Sequence, residues 1–135
     1  NEPTPAQQSV PTGIHGVSNG APSFCGGARW PKVRRLTTAL EHWLNTLDNT
    51  QPRPDVAPLF AVLADRTVAP DSALPDTGVG LELERRLSPV FLCGESYGTR
   101  CSTVMLINTD GGVWMQERRF GPSGVFQGES ELSLP

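Results

Sequence analysis

Long apolar runs are absent from this chain of 135 residues, because no stretch approaches the roughly 20 consecutive apolar residues that a membrane-spanning helix needs. A strong net charge is absent as well. The formal net charge is −3, which provides no positive electrostatic potential to attract the phosphate backbone of a nucleic acid. These absences argue against a transmembrane segment and against a nucleic-acid partner. The composition, with 37% hydrophobic and 19% charged residues, is typical of a single globular domain.

Cysteine and histidine are scarce. Cys25, Cys93 and Cys101 are an odd number of cysteines without the spacing of metal ligands, which favours reduced thiols in a cytoplasmic compartment over a disulfide framework. A bridge between Cys93 and Cys101 stays open as an alternative, since two residues that flank a turn can approach one another. His15 and His42 lack a nearby set of carboxylates or thiols, so no metal site is predicted. His15 is expected to be a core or edge histidine, and His42 a surface or boundary one.

The first two thirds of the chain contain three predicted helices. Apolar residues recur at helical spacing in the segment PKVRRLTTALEHWLNTLDN, which predicts a helix that begins near Pro31. A second helix is predicted from Asp55 to Ala64, with Asp55 as its N-cap. The segment LELERRLSP predicts one or two further helical turns, which Pro89 ends.

The strongest strand signal is a hairpin, in which Thr99–Ile107 and Val113–Phe120 flank an Asp-Gly-Gly turn. Shorter strands are predicted at Ile14–Val17 and Val90–Cys93. Apolar residues occur on both faces of the first hairpin strand, which predicts a sheet that is covered on both sides. The order of these elements predicts an α+β fold built in layers.

Arg100 lies at the start of the hairpin strand that is expected to enter the core. A buried guanidinium must be paired, because an unpaired buried charge is prohibitively costly. Two interpretations stay open. One is a structural ion pair with an acidic residue such as Asp76 or Glu117. The other is a site arginine that binds an oxygen-bearing substrate.

Four motifs follow one another along the chain: GIHGVSNG, RWPKVRR, LADRTVAPDSALPDTGVGLELERRLSPVFL, and YGTRCSTVMLIN with DGGVWMQERRF. In this order, from about Gly13 to Phe120, they resemble the NRDE family of the Transport and Golgi organisation type. That family is similar to the N-terminal-nucleophile hydrolases, whose fold is a four-layer αββα sandwich. The resemblance therefore implies a partial αββα sandwich, in agreement with the doubly covered sheet predicted from the strands.

The resemblance also implies a candidate catalytic site. In the superfamily, a cysteine that follows the initiator methionine attacks an amide, with its own α-amine as the base. An asparagine and an arginine further along the chain help to hold the oxyanion, and Asn19 and Arg100 match that pair best. No Met-Cys start and no Asn-Arg-Asp-Glu stretch occurs in the sequence, so the nucleophile strand is expected to be absent or to lie in another segment.

Three segments are expected along the chain. Residues 1–12 are predicted to be an extended lead-in, residues 13–120 the C-terminal portion of a single NRDE-type domain, and residues 121–135 a loosely held tail. Too few strands are visible to close a sandwich. A missing N-terminal segment or a partner chain is therefore expected to pair with the sheet.

Three functions stay open, of which we favour the first. The resemblance implies the handling or trafficking of a hydrophobic cargo such as haem or an acyl lipid. It also implies amide-bond hydrolysis by the N-terminal-nucleophile mechanism, and the third function is a structural or interaction domain that kept the fold alone. For a haem cargo, His15 is the candidate axial ligand. The other candidate ligand-binding residues are Ser18, Trp30, Lys32 and Arg34, whose basic members would meet the propionates.

Overall fold

The computed structural model describes residues 9–18, 30–48 and 53–135. Within these residues, three α-helices and a three-stranded antiparallel sheet form an α+β fold, which confirms the predicted fold class. The predictions made for Asn19, for Cys25 and for residues 1–8 fall outside the described residues. The helices are α1 (Pro31–Asn45), α2 (Ala57–Leu63) and α3 (Leu81–Leu87), and the strands are β1 (Cys101–Ile107), β2 (Val113–Phe120) and β3 (Phe126–Leu134).

The three helices lie where the sequence predicts them. α1 begins at Pro31, whose missing N–H falls at a position that has no intrahelical partner. Before α2, the Asp55 carboxylate accepts a hydrogen bond from the Ala57 N–H at 2.8 Å. The backbone geometry nevertheless makes Val56 the N-cap, one residue later than predicted. α3 ends at Leu87, shortly before a proline, as predicted.

The sheet has the strand order β1-β2-β3, and both neighbouring pairs are antiparallel. The predicted hairpin is confirmed, since Met105 of β1 pairs with Met115 of β2. The expectation of a loosely held tail is wrong for Phe126–Leu134, because this segment is β3 and Leu132 pairs with Met115. Glycine and serine weaken its strand signal, but the backbone hydrogen bonds of an antiparallel ladder still hold it.

The hydrophobic core lies between the helices and one face of the sheet. Trp43 of α1, Phe60 of α2 and Val104 of β1 belong to one buried cluster. The Trp43 indole N–H donates to the Asp55 carbonyl oxygen at 2.7 Å, so this large ring is buried without leaving its polar atom unpaired. The apolar area removed from water in this cluster is what holds α1 and α2 on the sheet.

The opposite face of the sheet is open among the described residues. Along β1, Val104 is buried, whereas the alternate residues Cys101, Met105 and Ile107 are exposed, Met105 by 54% and Ile107 by 69%. The expectation of a sheet covered on both sides is therefore wrong for this part of the chain, because the helices that reach the sheet pack on the Val104 face. The second sheet that an αββα sandwich requires is not among the described residues.

Two short segments predicted as strands, Ile14–Val17 and Val90–Cys93, form no strand in the structure. In the second segment, the Phe91 N–H donates to the Asp65 carbonyl oxygen at 2.8 Å. This bond joins the segment to the end of α2 without starting a ladder. The segment thus serves as a connection that packs against the core and does not add to the sheet.

The cysteines that the structure describes, Cys93 and Cys101, are both free and exposed. The alternative of a disulfide between them is therefore wrong. Within the described ranges, no group of three or more histidines, cysteines and carboxylates is placed to hold a metal ion.

Candidate functional site

A cavity of about 480 Å³ lies beside α3 and is the best candidate site in the part of the chain that the structure describes. Three stretches of chain line it: residues 66–68 after α2, residues 83–89 at the end of α3, and residues 91–97 before β1. Most of the described lining residues are apolar, two are arginines, and none of them carries a carboxylate. They are Arg66, Val68, Leu83, Arg86, Leu87, Pro89, Phe91, Leu92, Cys93, Gly94 and Tyr97.

Buried contacts hold the lining segments in place. The Ser88 side chain is fully buried, and its hydroxyl accepts the Ala69 N–H at 2.9 Å and donates to the Arg85 carbonyl oxygen at 2.8 Å. This hydroxyl ties the end of α3 to the segment that follows α2. The Phe91 ring is also buried and packs edge-to-face on Phe120, with 4.7 Å between the ring centres. The cavity is thereby anchored to β2.

Gly124, in the turn between β2 and β3, lies close against the cavity lining. Its φ of 73° is in the left-handed region that favours glycine. A Cβ atom here would come within 2.8 Å of the Phe91 ring and 3.1 Å of the Cys93 Sγ. Both the backbone conformation and the packing therefore require glycine at this position.

Two guanidinium groups line the cavity without an acidic partner among the described residues. The Arg66 guanidinium lies 5.2 Å from the centre of the Phe91 ring, a cation–π contact that positions it at the wall. Arg86 lies on α3 next to Arg85, whose own guanidinium forms two hydrogen bonds to the Asp71 carboxylate at 2.7 and 2.8 Å. In a chain whose net charge is −3, two unpaired cations beside an apolar wall favour a ligand that carries negative charge.

The Transport and Golgi organisation 2 family matches residues 1–122 of this chain. The chain belongs to that family. It is the NRDE family, so the resemblance drawn from the four motifs is confirmed, and every residue that lines the cavity lies within the matched region. Comparisons with curated proteins and with solved structures found no match. Among the described residues, no helix combines the length and the apolar character needed to cross a membrane.

Of the two catalytic candidates in this NRDE-family chain, Arg100 is exposed and does not line the cavity, and Asn19 lies outside the described residues. Arg100 forms no ion pair with Asp76 or Glu117. The Asp76 carboxylate accepts a backbone N–H of its own turn, and the Glu117 carboxylate accepts the Thr103 hydroxyl. The interpretation of a buried structural ion pair is therefore wrong, because the side chain lies at the exposed start of β1.

The candidate ligand-binding residues of the NRDE-family chain lie outside the cavity lining. They are His15, Ser18, Trp30, Lys32 and Arg34. The Nε2 of His15 lies 2.7 Å from the Pro11 carbonyl oxygen, and since a carbonyl only accepts, this nitrogen carries the proton. The Lys32 ammonium donates to the carbonyl oxygen of Leu87, a cavity residue, at 2.7 Å and lies 4.8 Å from the centre of the Trp30 ring. Lys32 thus contacts the cavity wall through the backbone.

Glu84 of α3 is buried, with 2% exposed, and the sequence motifs did not single it out. One carboxylate oxygen accepts both the N–H and the hydroxyl of Thr77, and the other has no hydrogen-bond partner among the described residues. Burial lowers the pKa of the Lys32 ammonium, and the Glu84 charge opposes that shift. Glu84 lies three residues before Leu87, the spacing of one helix face. From this spacing, the Glu84 carboxylate could have been predicted to lie on the same face of α3 as Leu87.

Proposed function

We propose that this family member binds and hands on a hydrophobic small molecule, an acyl lipid or haem, in the cavity beside α3. The observation that carries the proposal is the cavity itself, with about 480 Å³, apolar walls and two guanidinium groups that have no ion pair among the described residues. Ligand pockets in proteins typically have about 300–1,000 Å³, mostly apolar walls and a few polar groups that fix orientation. The transport in the family's description supports a carrier role.

Exposed apolar side chains at the cavity support the same function. Val68, Leu83 and Tyr97 line the cavity and remain substantially exposed to water. A ligand that covers them removes apolar area from water, which is worth about 25 cal/mol per Å². The walls are therefore suited to an apolar molecule.

An acyl lipid needs only the apolar walls and the guanidinium groups of the cavity, whereas the candidate axial ligand for haem does not line it. No histidine lines the cavity, and the side chains there with iron-ligating atoms are the Cys93 thiol and the Tyr97 phenol. The candidate axial ligand His15 lies outside the lining, and its Nε2 already donates to the Pro11 carbonyl oxygen. Haem binding through Nε2 of His15 therefore requires a separate site and the loss of this hydrogen bond.

Equilibrium binding of a fluorescent long-chain fatty acid to the full chain tests the proposal. Val68→Trp is expected to fill the cavity and to weaken binding by about tenfold or more, equivalent to about 1.4 kcal/mol. Val79→Trp is the matched control, because Val79 is similarly exposed, 48% against 54% for Val68, and does not line the cavity. Equal affinities for both variants and the unaltered protein, or no binding at all, would contradict the proposal.

The haem form of the proposal is tested on the same protein by absorbance. If His15 ligates the iron, His15→Ala loses the Soret shift that His42→Ala keeps. Equal spectra for the two variants remove His15 from the site.

A further inference from the structure

We infer that the ligand carries an anionic head group on an apolar body, and that Arg66 and Arg86 bind this head group. The inference rests on the proposed function, because it takes the cavity as the binding site. It adds the chemical class of the ligand and the two residues that select it. The head group is a carboxylate or a phosphate, and either one accepts paired hydrogen bonds from a guanidinium.

Arg66 is held at the cavity wall, and its guanidinium forms no hydrogen bond or ion pair with the described residues. Its guanidinium lies 5.2 Å from the Phe91 ring centre, and stacking of this kind leaves the in-plane N–H groups available. The neighbouring carboxylate, Asp65, has other partners. It accepts hydrogen bonds from the Arg35 guanidinium and from the Thr67 N–H, each at 2.8 Å. Asp65 therefore does not pair with Arg66, which has no ion pair among the described residues.

Glu82 lies four residues before Arg86 on α3, but its carboxylate pairs with Arg85. Successive residues of an α-helix project about 100° apart, so Arg85 and Arg86 serve different sides of the helix. Arg85 pairs with Asp71 at 2.7 Å and with Glu82 at 3.4 Å. Arg86 lines the cavity and has no ion pair among the described residues. An anionic group on the ligand would provide both guanidinium groups with a counterion.

The apolar wall makes these two charges selective. Attraction between opposite charges is stronger beside a low-dielectric wall than in bulk water, so an anion at the cavity gains more than one at an open surface. An alcohol with the same hydrocarbon chain buries the same apolar area but offers no charge to Arg66 and Arg86. The affinity of an acid relative to its alcohol therefore measures head-group recognition separately from chain burial.

The test uses three ligands with one saturated chain: laurate, dodecyl phosphate and dodecanol, each below the concentration at which it aggregates. Calorimetric titration of the full chain should show both acids binding at least about tenfold more tightly than the alcohol, as expected for charge-assisted hydrogen bonds. Whichever acid binds more tightly identifies the head group as a carboxylate or a phosphate.

Variants of the two arginines assign the head group to them. Arg66→Gln and Arg86→Gln should each weaken laurate binding by about tenfold and leave dodecanol binding unchanged. Arg53→Gln is the matched control, since Arg53 is an exposed arginine outside the cavity lining. Thermal unfolding checks that each variant folds. If Arg66→Gln does not fold, Arg66→Lys, which keeps the charge, replaces it.

Two outcomes separate this inference from the proposal beneath it. If dodecanol binds as tightly as laurate, or if the arginine variants bind laurate normally, the head-group inference is overturned while the cavity proposal stands. If none of the three ligands binds, the proposed function itself fails.

Discussion

The Lys32 ammonium donates a 2.7 Å hydrogen bond to the Leu87 carbonyl oxygen, and this bond joins the first turn of α1 to the last turn of α3. Leu87 also lines the cavity. The buried carboxylate of Glu84, on the same face of α3, supplies the opposite charge to the ammonium. The start of α1 is thus fastened to the helix that carries one side of the candidate site.

Removal of the Lys32 ammonium is expected to lower the free energy of unfolding by about 1–3 kcal/mol in Lys32→Met, because the Leu87 carbonyl and the Glu84 carboxylate lose a cationic partner. Glu84→Gln should lower the free energy of unfolding by less in the Lys32→Met background than in the unaltered protein. In that background the Glu84 carboxylate has already lost the Lys32 ammonium, and the substitution removes its unpaired charge. Urea denaturation of the unaltered protein, both single variants and the double variant measures the coupling. Additive losses would show that the two residues act independently.

The Asp65 carboxylate predicts a loss of stability in acid. The Thr67 hydroxyl, joined by the Thr67 N–H and the Arg35 guanidinium, holds the pKa of Asp65 below its ordinary 3.8. The unfolded state therefore binds more protons than the folded state below about pH 3.8, so the stabilisation is present above that pH and is lost as the pH falls through the folded pKa. The stability difference between the unaltered protein and Asp65→Asn should shrink from neutral pH to about pH 3 in urea denaturation. A difference that stays constant with pH would contradict this assignment.

Two neighbouring residues of β1 distinguish the covered face of the sheet from the open one. Val104→Ala is expected to lower the free energy of unfolding by about 1–3 kcal/mol, because Val104 is buried against the helices. Met105→Ala should change it by less than about 0.5 kcal/mol, because Met105 is on the exposed face. A comparable loss in both variants would mean that the open face is covered in solution, as the expected missing segment or partner chain would require. Sedimentation over a range of concentrations would then separate those two.

Arg100 is expected to contribute little to stability. Arg100→Ala should change the free energy of unfolding by less than about 0.5 kcal/mol, because the side chain is exposed and has no ion pair among the described residues. Arg35→Ala is the comparison, since the half-buried Arg35 bonds both the Asp65 carboxylate and the Thr67 carbonyl, and should cost about 1–2 kcal/mol. A loss at Arg100 as large as that at Arg35 would restore the interpretation of a structural ion pair.

The helices and the hairpin could be predicted because their signals are local. The apolar spacing and the proline at the start of α1, and the alternating strands around the Asp-Gly-Gly turn, depend on a few adjacent residues. β3 lacks such a signal, since only Leu132 and Leu134 alternate with polar residues at its end. Its place in the sheet depends on the ladder with β2, which sequence periodicity does not show.

The cavity could not be predicted from the sequence because its lining comes from three separated stretches. Arg66, Arg86 and Tyr97 share no motif spacing, and only the fold brings them to one site. The open face of the sheet was not predicted either. Apolar residues on both faces of β1 predict two covering layers, whereas the described residues supply only one.

The reactivity of two thiols tests the cavity most directly. Cys93 lines the cavity and Cys101 lies on the open face of the sheet, and both are free and exposed. In a Cys25→Ser background, the alkylation rate of each thiol is followed by peptide mass spectrometry while laurate is titrated. Alkylation of Cys93 should slow along the binding curve while that of Cys101 stays constant, because only the first thiol is covered by a ligand in the cavity. Unchanged reactivity of Cys93 at saturating laurate, or equal slowing of both thiols, would contradict binding at this site.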